Sequence, residues 1–308
     1  MTGLRERWNR FFTEPIAPLT AFQISRGFLC GVRYSRKERR IAAHVLRPLP
    51  PGTLDPGFDR PNVVNAPALE AALRDVGRRL GAAEMMVSLL IPETAVKTVL
   101  LTFETLPTVP EEREAVLRWK LAKTLPLKFS DLRLSFDVMK SGGGEKAFCV
   151  LAPESVVREY EQAFGRAGLR VRQVAIPTPH LLGLVPASGP ADILIVNIEE
   201  DHLSLFAAGE GGPILFRVKA FAPAAAAGGG PWPLVATEVA NTTHFLEDRE
   251  NFRIKAIWVR DAEGNAPPAL DILEKRAGCP VRTFAFSEPA VAGPKEQALL
   301  APLVGQMS

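Results

Sequence analysis

A chain of 308 residues, 47% hydrophobic and 23% charged, has room for two ordinary domains or one two-lobed α/β protein. Its 37 basic and 34 acidic residues leave a formal charge of +3, which gives no support to a nucleic-acid binder. Three widely separated cysteines, Cys30, Cys149 and Cys279, exclude a disulfide framework or a zinc spacing and read as small buried groups in a reducing compartment.

Residues 1–14, MTGLRERWNRFFTE, set Leu4, Trp8, Phe11 and Phe12 on one helical side and Arg5, Arg7 and Arg10 largely on another. Such a basic amphipathic segment either lies on an anionic membrane surface or covers a hydrophobic groove of its own protein. No signal-peptide core is present and no run approaches the ~18 apolar residues of a spanning helix, so a cytoplasmic chain is expected. From Ala21 the pattern shifts to period two or continuous apolar, and AFQISRGFLCGVRY, a basic turn and RIAAHVLRPL predict a three-stranded antiparallel meander. Arg36, Lys37, Arg39 and Arg40 form that turn and read as a solvated hairpin tip. A Pro/Gly loop at 48–57 follows, then helical spacing at Leu69, Leu73, Val76 and Leu80 with Gly81 placed as its C-terminal cap. Strands are predicted at Met85–Ile91 and Val96–Glu104.

Residues 102–137 read as a strand end, a helix opened by Pro110, a break at Pro126 and a second strand from about Leu132. Proline at the first helical position loses no hydrogen bond, and Glu111 and Glu112 suit the positive end of the helix dipole. Leu117, Leu121 and Leu125 share a stripe with Ala115, Trp119 and Ala122 beside it, which predicts a wide apolar face packed on a sheet. A hairpin around Gly142–Gly144, a helix at 154–168 and a strand at 169–176 come next. At Asp192 the meander recurs in ILIVNIEEDHLSLFAAGEGGPILFRVKAF, which suggests a duplicated lobe. After a low-complexity loop, APAAAAGGGPWP, the pattern predicts a helix from Leu234 to about Glu250, a strand at Ile254–Val259, a helix at Ala269–Arg276, a strand at Val281–Phe286 and a closing helix.

His44, His180, His202 and His244 share no metal-ligand spacing. Asp201 and His202 read as exposed turn residues rather than an acid–base pair, because neighbours on a strand point to opposite faces. The acidic run Glu199, Glu200 and Asp201 reads as a solvated turn. Neither a G-x-S-x-G elbow nor a phosphate-binding G-x-x-x-x-G-K-[ST] is present.

Three phrases resemble the type IV pilus assembly protein PilM family: LPTVPEEREAVLRWKLAKTLPLKFSDLRLSFDV at 106–138, AGLRVRQVAIPTPHLLGL at 167–184 and GCPVRTF at 278–284. The resemblance implies an α/β, actin-like (duplicated RNase H-like) two-lobe fold. The first lobe would span 1–188 with an inserted small α+β subdomain at about 102–152. The second would span 189–308 with its outer subdomain reduced to a short loop. Where the family carries Asp-Ile-Gly in each meander for metal and phosphate, this chain has Gln23 and Ser25 in the first and Asn197, Ile198 and Glu199 in the second. The adenosine-side glycine loop is reduced to VRDAEGN, which keeps Gly264. These departures predict a lost nucleotide site, without bound ATP or Mg and without ATPase activity.

The resemblance also implies a partner, the N-terminal cytoplasmic peptide of a PilN-like inner-membrane protein, with the chain peripheral to that membrane. Leu125, Leu127, Phe129, Leu132 and Leu134 are candidates to line or support the groove, against the alternative of plain core packing. Two other functions stay open: an actin-like ATPase with an unusual phosphate site built on Asp192, Glu199 or Asp201, and a cytoplasmic assembly protein of type II secretion.

Overall fold

Two of the three sheets repeat one another strand for strand. The structure, a computed structural model, describes residues 18–82, 85–221, 231–264, 267–288, 291 and 293–307. The amphipathic 1–14 segment and most of the APAAAAGGGPWP loop therefore lie outside the described residues. The first lobe opens with β1 (Thr20–Ile24), β2 (Phe28–Ser35), β3 (Arg40–Pro48), α1 (Ala66–Leu80) and β4 (Met86–Leu90). The inserted unit is β5 (Lys97–Phe103), α2 (Pro110–Thr124), β6 (Leu132–Ser141) and β7 (Gly144–Pro153). The lobe closes with α3 (Glu154–Arg166), β8 (Arg170–Ala175) and α4 (Pro177–His180). The second lobe comprises β9 (Ile193–Ile198), β10 (His202–Gly209), β11 (Gly212–Ala220), α5 (Trp232–Glu250), β12 (Ala256–Asp261), α6 (Pro267–Ala277), β13 (Val281–Thr283) and α7 (Pro294–Met307).

The strand orders are β3-β2-β1-β4-β8 and β11-β10-β9-β12-β13, each a meander with two parallel strands added beside its first. The central strands are buried on both faces and are apolar along most of their length, as parallel sheets covered by helices require. Caps fix the helices. Asn65 Oδ1 accepts from the Ala68 amide at 3.1 Å to start α1, and Gly81 ends it at φ 64°. Leu69, Leu73, Val76 and Leu80 then meet Phe22, Phe164 and Tyr160 in the first-lobe core.

The inserted sheet, β5-β7-β6, carries α2 on one face over Leu101, Ala147, Cys149 and Leu151. Only Leu117 and Leu121 of α2 are buried, which corrects the expected wide apolar face. Three strands cover a single stripe of the helix. Ala115, Trp119 and Ala122 remain exposed, with the Lys123 ammonium 3.7 Å from the Trp119 ring centre. The opposite face of this sheet packs on the second lobe, where Phe148 meets Phe206 and Phe216 at centroid distances of 6.1 and 5.8 Å.

Helix α7 returns to the first lobe. Leu299, Leu300, Leu303 and Val304 pack with Ala21, Cys30, Val32 and Ile41. It crosses the turn after α4 so closely that a Cβ on Gly305 would lie 2.1 Å from the His180 carbonyl oxygen, and one on Gly183 would lie 2.3 Å from that of Gly305. The two closing segments thus clasp the lobes together.

Candidate functional site: the cleft between the lobes and the inserted subdomain

The meander turns face each other across the cleft, and the strands behind them supply its floor. Gln23, near the end of β1, donates through Nε2 to Glu199 Oε1 at 3.3 Å. Arg260 on β12 donates through Nη1 to the same oxygen at 2.5 Å and to Asn197 Oδ1 at 2.6 Å, and through Nε to the Ala298 carbonyl at 2.6 Å. The Arg260 side chain is 1% exposed and that of Glu199 is 5%. A guanidinium keeps its charge inside a protein, and burial this deep is tolerable only with a partner such as Glu199 beside it.

A second carboxylate extends the network. Glu93, fully buried between β4 and β5, accepts the Thr178 amide at 2.6 Å and the Ser204 hydroxyl at 2.7 Å, and faces His202 Nε2 at 3.1 Å. His202 Nδ1 lies 2.7 Å from Asp201 Oδ1, and Asn197 Nδ2 donates to Thr178 Oγ1 at 2.8 Å. Burial alone would lower the His202 pKa, but the two flanking carboxylates raise it to about 10, so both ring nitrogens donate. Burial acts on Glu93 in the opposite sense, and the bonds from His202, Thr178 and Ser204 outweigh it and hold its pKa below the usual range.

His202 is therefore a buried residue opening β10, which corrects its reading as an exposed turn residue. Asp201 precedes the strand and is not bound by its alternation, so the two neighbours can pair. The acidic run is likewise split, since Glu199 is buried on Arg260 while Glu200 reaches Gly27. A Cβ on Gly27 would come within 2.7 Å of the Glu200 carboxylate. The turns of the two lobes touch there.

Of the positions that the sequence resemblance would assign to a nucleotide, Gln23, Asn197 and Glu199 are brought together in this network. Ser25 instead closes its own hairpin, its amide donating to the Phe28 carbonyl at 2.9 Å. Gly264, at φ 75°, packs against Lys295 at the start of α7. Glu93 and Arg260 were not singled out in the sequence. Each had a signal, a charge set in a mostly apolar run, with Lys97 the other charge in SLLIPETAVKTVLL and Asp261 the other in AIWVRD. The strand predicted to end at Val259 runs on through Arg260 and Asp261, where the Arg260 side chain is neutralised by Glu199 just past the end of the neighbouring strand β9.

Leu125, Phe129, Leu132 and Leu134 gather on the α2–β6 side of the inserted subdomain, half buried against its core, and Leu127 is half buried beside them. A separate groove of about 330 Å³ runs between the edge strands β5 and β11, lined by Leu100, Phe148, Ile214, Phe216, Phe245 and Glu250 among others. None of the five leucine and phenylalanine candidates lines it. Among the described residues no group of three His, Cys, Asp or Glu side chains is placed to hold a metal ion, and no helix is long and apolar enough to cross a membrane.

No family model and no curated protein matches the sequence. Solved structures match over nearly the whole chain. A chain of a PilM-PilN type IV pilus biogenesis complex aligns with a TM-score of 0.75 at 17% identity, covering 94% of this chain and 98% of that one. A Bacteroides thetaiotaomicron protein with an actin-like ATPase fold and unknown function gives a TM-score of 0.54 at 11% identity, with 94% and 97% covered. The cytoplasmic domain of EpsL, an inner-membrane component of the Vibrio cholerae type II secretion system, gives 0.52 at 12% identity, with 92% and 93% covered. The chain has the actin-like ATPase fold in a form similar to that pilus complex chain.

Proposed function

We propose that this chain is an actin-like scaffold of a type IV pilus-like assembly machine, without nucleotide turnover, that holds the N-terminal peptide of a PilN-like inner-membrane protein. The likeness to a chain of the PilM-PilN complex over 94% of this chain, inserted subdomain included, carries the reading. The cleft network supports its second half. An ATP phosphate and its Mg ion need open backbone amides and an unengaged carboxylate. Here Glu199 is taken up by Arg260 and Gln23, Glu93 by His202, Ser204 and Thr178, and the turns that would flank phosphate are in contact. These residues do not fit Mg-ATP, and no chemical step is assigned to the cleft.

An extended apolar peptide pairs its backbone with a free strand edge and sets alternate side chains in pockets. The inserted subdomain offers two free edges, β5 and β6, with Leu125, Leu127, Phe129, Leu132 and Leu134 beside β6. Leu127 is the sharpest probe, because it lies outside the subdomain core that the other four support. Fluorescence anisotropy with the N-terminal peptide of the neighbouring single-span membrane protein is expected to give micromolar binding. Leu127→Glu should weaken it about tenfold or more, as for one interface anchor. No binding at high micromolar peptide would overturn the reading. The EpsL likeness favours a type II secretion machine as the second reading, to be separated by which system's membrane protein supplies the peptide that binds.

A further inference from the structure

The strand registers bring one set of charges to one end of the first lobe. Thr20 pairs with Arg33, Ser35 with Arg40 and Met86 with Arg170, so β1, β4 and β8 start where the β2–β3 turn projects. Helix α1 ends there as well, in Arg78 and Arg79, because its chain leads directly into β4. Arg33, Arg36, Lys37, Arg39, Arg40, Arg78, Arg79, Arg170 and Arg172 thus lie across one sheet end, about 20 Å wide for five strands. Against them stand Glu38, in an exposed pair with Arg40, Asp75, shared by Arg78 and Arg47, and Glu288, which accepts the Ile41 amide at 3.2 Å, with Glu84 just outside the described residues. The whole chain carries only +3, so the field is concentrated at this end and offset elsewhere.

At the centre of these cations the surface is apolar. Leu19, Met85 and Met86 are 37, 41 and 54% exposed, three of the few large hydrophobic side chains the described surface leaves open. They stand at the starts of the neighbouring strands β1 and β4, where Thr20 Oγ1 lies 3.9 Å from Met85 Sδ and Arg172 Nη1 lies 3.8 Å from Met86 Sδ. Pro18, where the described residues begin, enters the lobe at this same end, one residue before Leu19. This end points away from the cleft and from the inserted subdomain, which both lie beyond the far ends of β1 and β4.

We propose that this end of the first lobe is a binding surface for bilayers containing anionic phospholipid. Charge complementarity selects the partner. A polybasic patch attracts an anionic leaflet, exposed methionine and leucine enter its interface, and stable attachment takes two such signals together. Dipole neutralisation explains Arg78 and Arg79 at the end of α1, but not the turn or the β8 arginines. A nucleic-acid backbone would use the charge and leave the apolar centre without a role.

The test is flotation of the full chain with vesicles of phosphatidylcholine alone and of phosphatidylcholine with about a third phosphatidylglycerol, a charged fraction in the range that gives a polybasic patch measurable affinity. Binding is expected only to the second, and it should fall away in high salt as the screening length drops to about 3 Å. Arg36→Gln, Lys37→Gln, Arg39→Asn and Arg40→Gln together alter only an exposed turn and should cut the bound fraction at least about tenfold. Met85→Gln with Met86→Gln should also weaken binding, with thermal melts showing that both variants fold. Equal binding to neutral vesicles, or unchanged binding of the turn variant when removal of residues 1–14 alone abolishes it, would overturn the proposal. So would binding of a DNA duplex in place of vesicles. The peptide anisotropy assay reads a different surface and stands or falls separately.

Discussion

Arg260 decides what the cleft can accept. A charge with 1% of its side chain exposed is tolerable only beside a counter-charge, and Glu199, Asn197 and the Ala298 carbonyl supply that. Removing one member strands the other, so Arg260→Met should cost about 3–5 kcal/mol in urea unfolding, whereas Arg260→Met with Glu199→Met should recover much of it. Equal losses in the single and double variants would show that the pair does not act as a unit. His202 adds a pH signature. Its pKa is raised to about 10 from 6.5, so its stabilisation is complete below 6.5 and is lost as pH rises through 10. Glu93 is lowered from 4.5, so its share is present above 4.5 and is lost as acid protonates it. A stability plateau across neutral pH with an alkaline fall is expected, and His202→Gln should flatten that fall. The same slope between pH 7 and 10 in both proteins would contradict the assignment.

At the scale of elements, the inserted subdomain divides its apolar residues between its own core and its surface. Leu121 is fully buried against the three-stranded sheet, so Leu121→Ala should cost about 2–5 kcal/mol. Trp119, 60% exposed on the same helix, should change stability by less than about 0.5 kcal/mol when replaced by alanine. Thermal melts of the two variants check the ordering. The start of this helix was legible, because Pro110, Glu111 and Glu112 act locally. Its buried face was not, because a leucine stripe does not disclose how wide a sheet will cover it. The same limit separates Gly81, whose left-handed cap follows from local geometry, from Arg260. That residue's burial depends on Glu199, which stands 61 positions away in sequence, so strand β12 was placed two residues early.

For the whole molecule, the repeated meander carried the duplicated architecture because strand spacing survives where sequence motifs have changed. What the spacing could not convey is how tightly the lobes are joined. The Glu93–His202 pair, the Gln23–Glu199 bond and the Gly183–Gly305 crossing act at one seam, with Arg260 bracing Glu199 from within the second lobe, and a nucleotide would have to part it. A ligand present at a hundred times its Kd adds about 2.7 kcal/mol to the folded state. For a chain of this size that would raise Tm by several degrees, at about 2–4 °C for each kcal/mol. Millimolar Mg-ATP is therefore expected to leave Tm within about 1 °C of the unliganded protein, as for any solute without a site at that concentration. A rise of several degrees, absent with Mg alone and absent in a variant carrying Gln23→Ala, would show that the seam opens for nucleotide and would restore the ATPase reading.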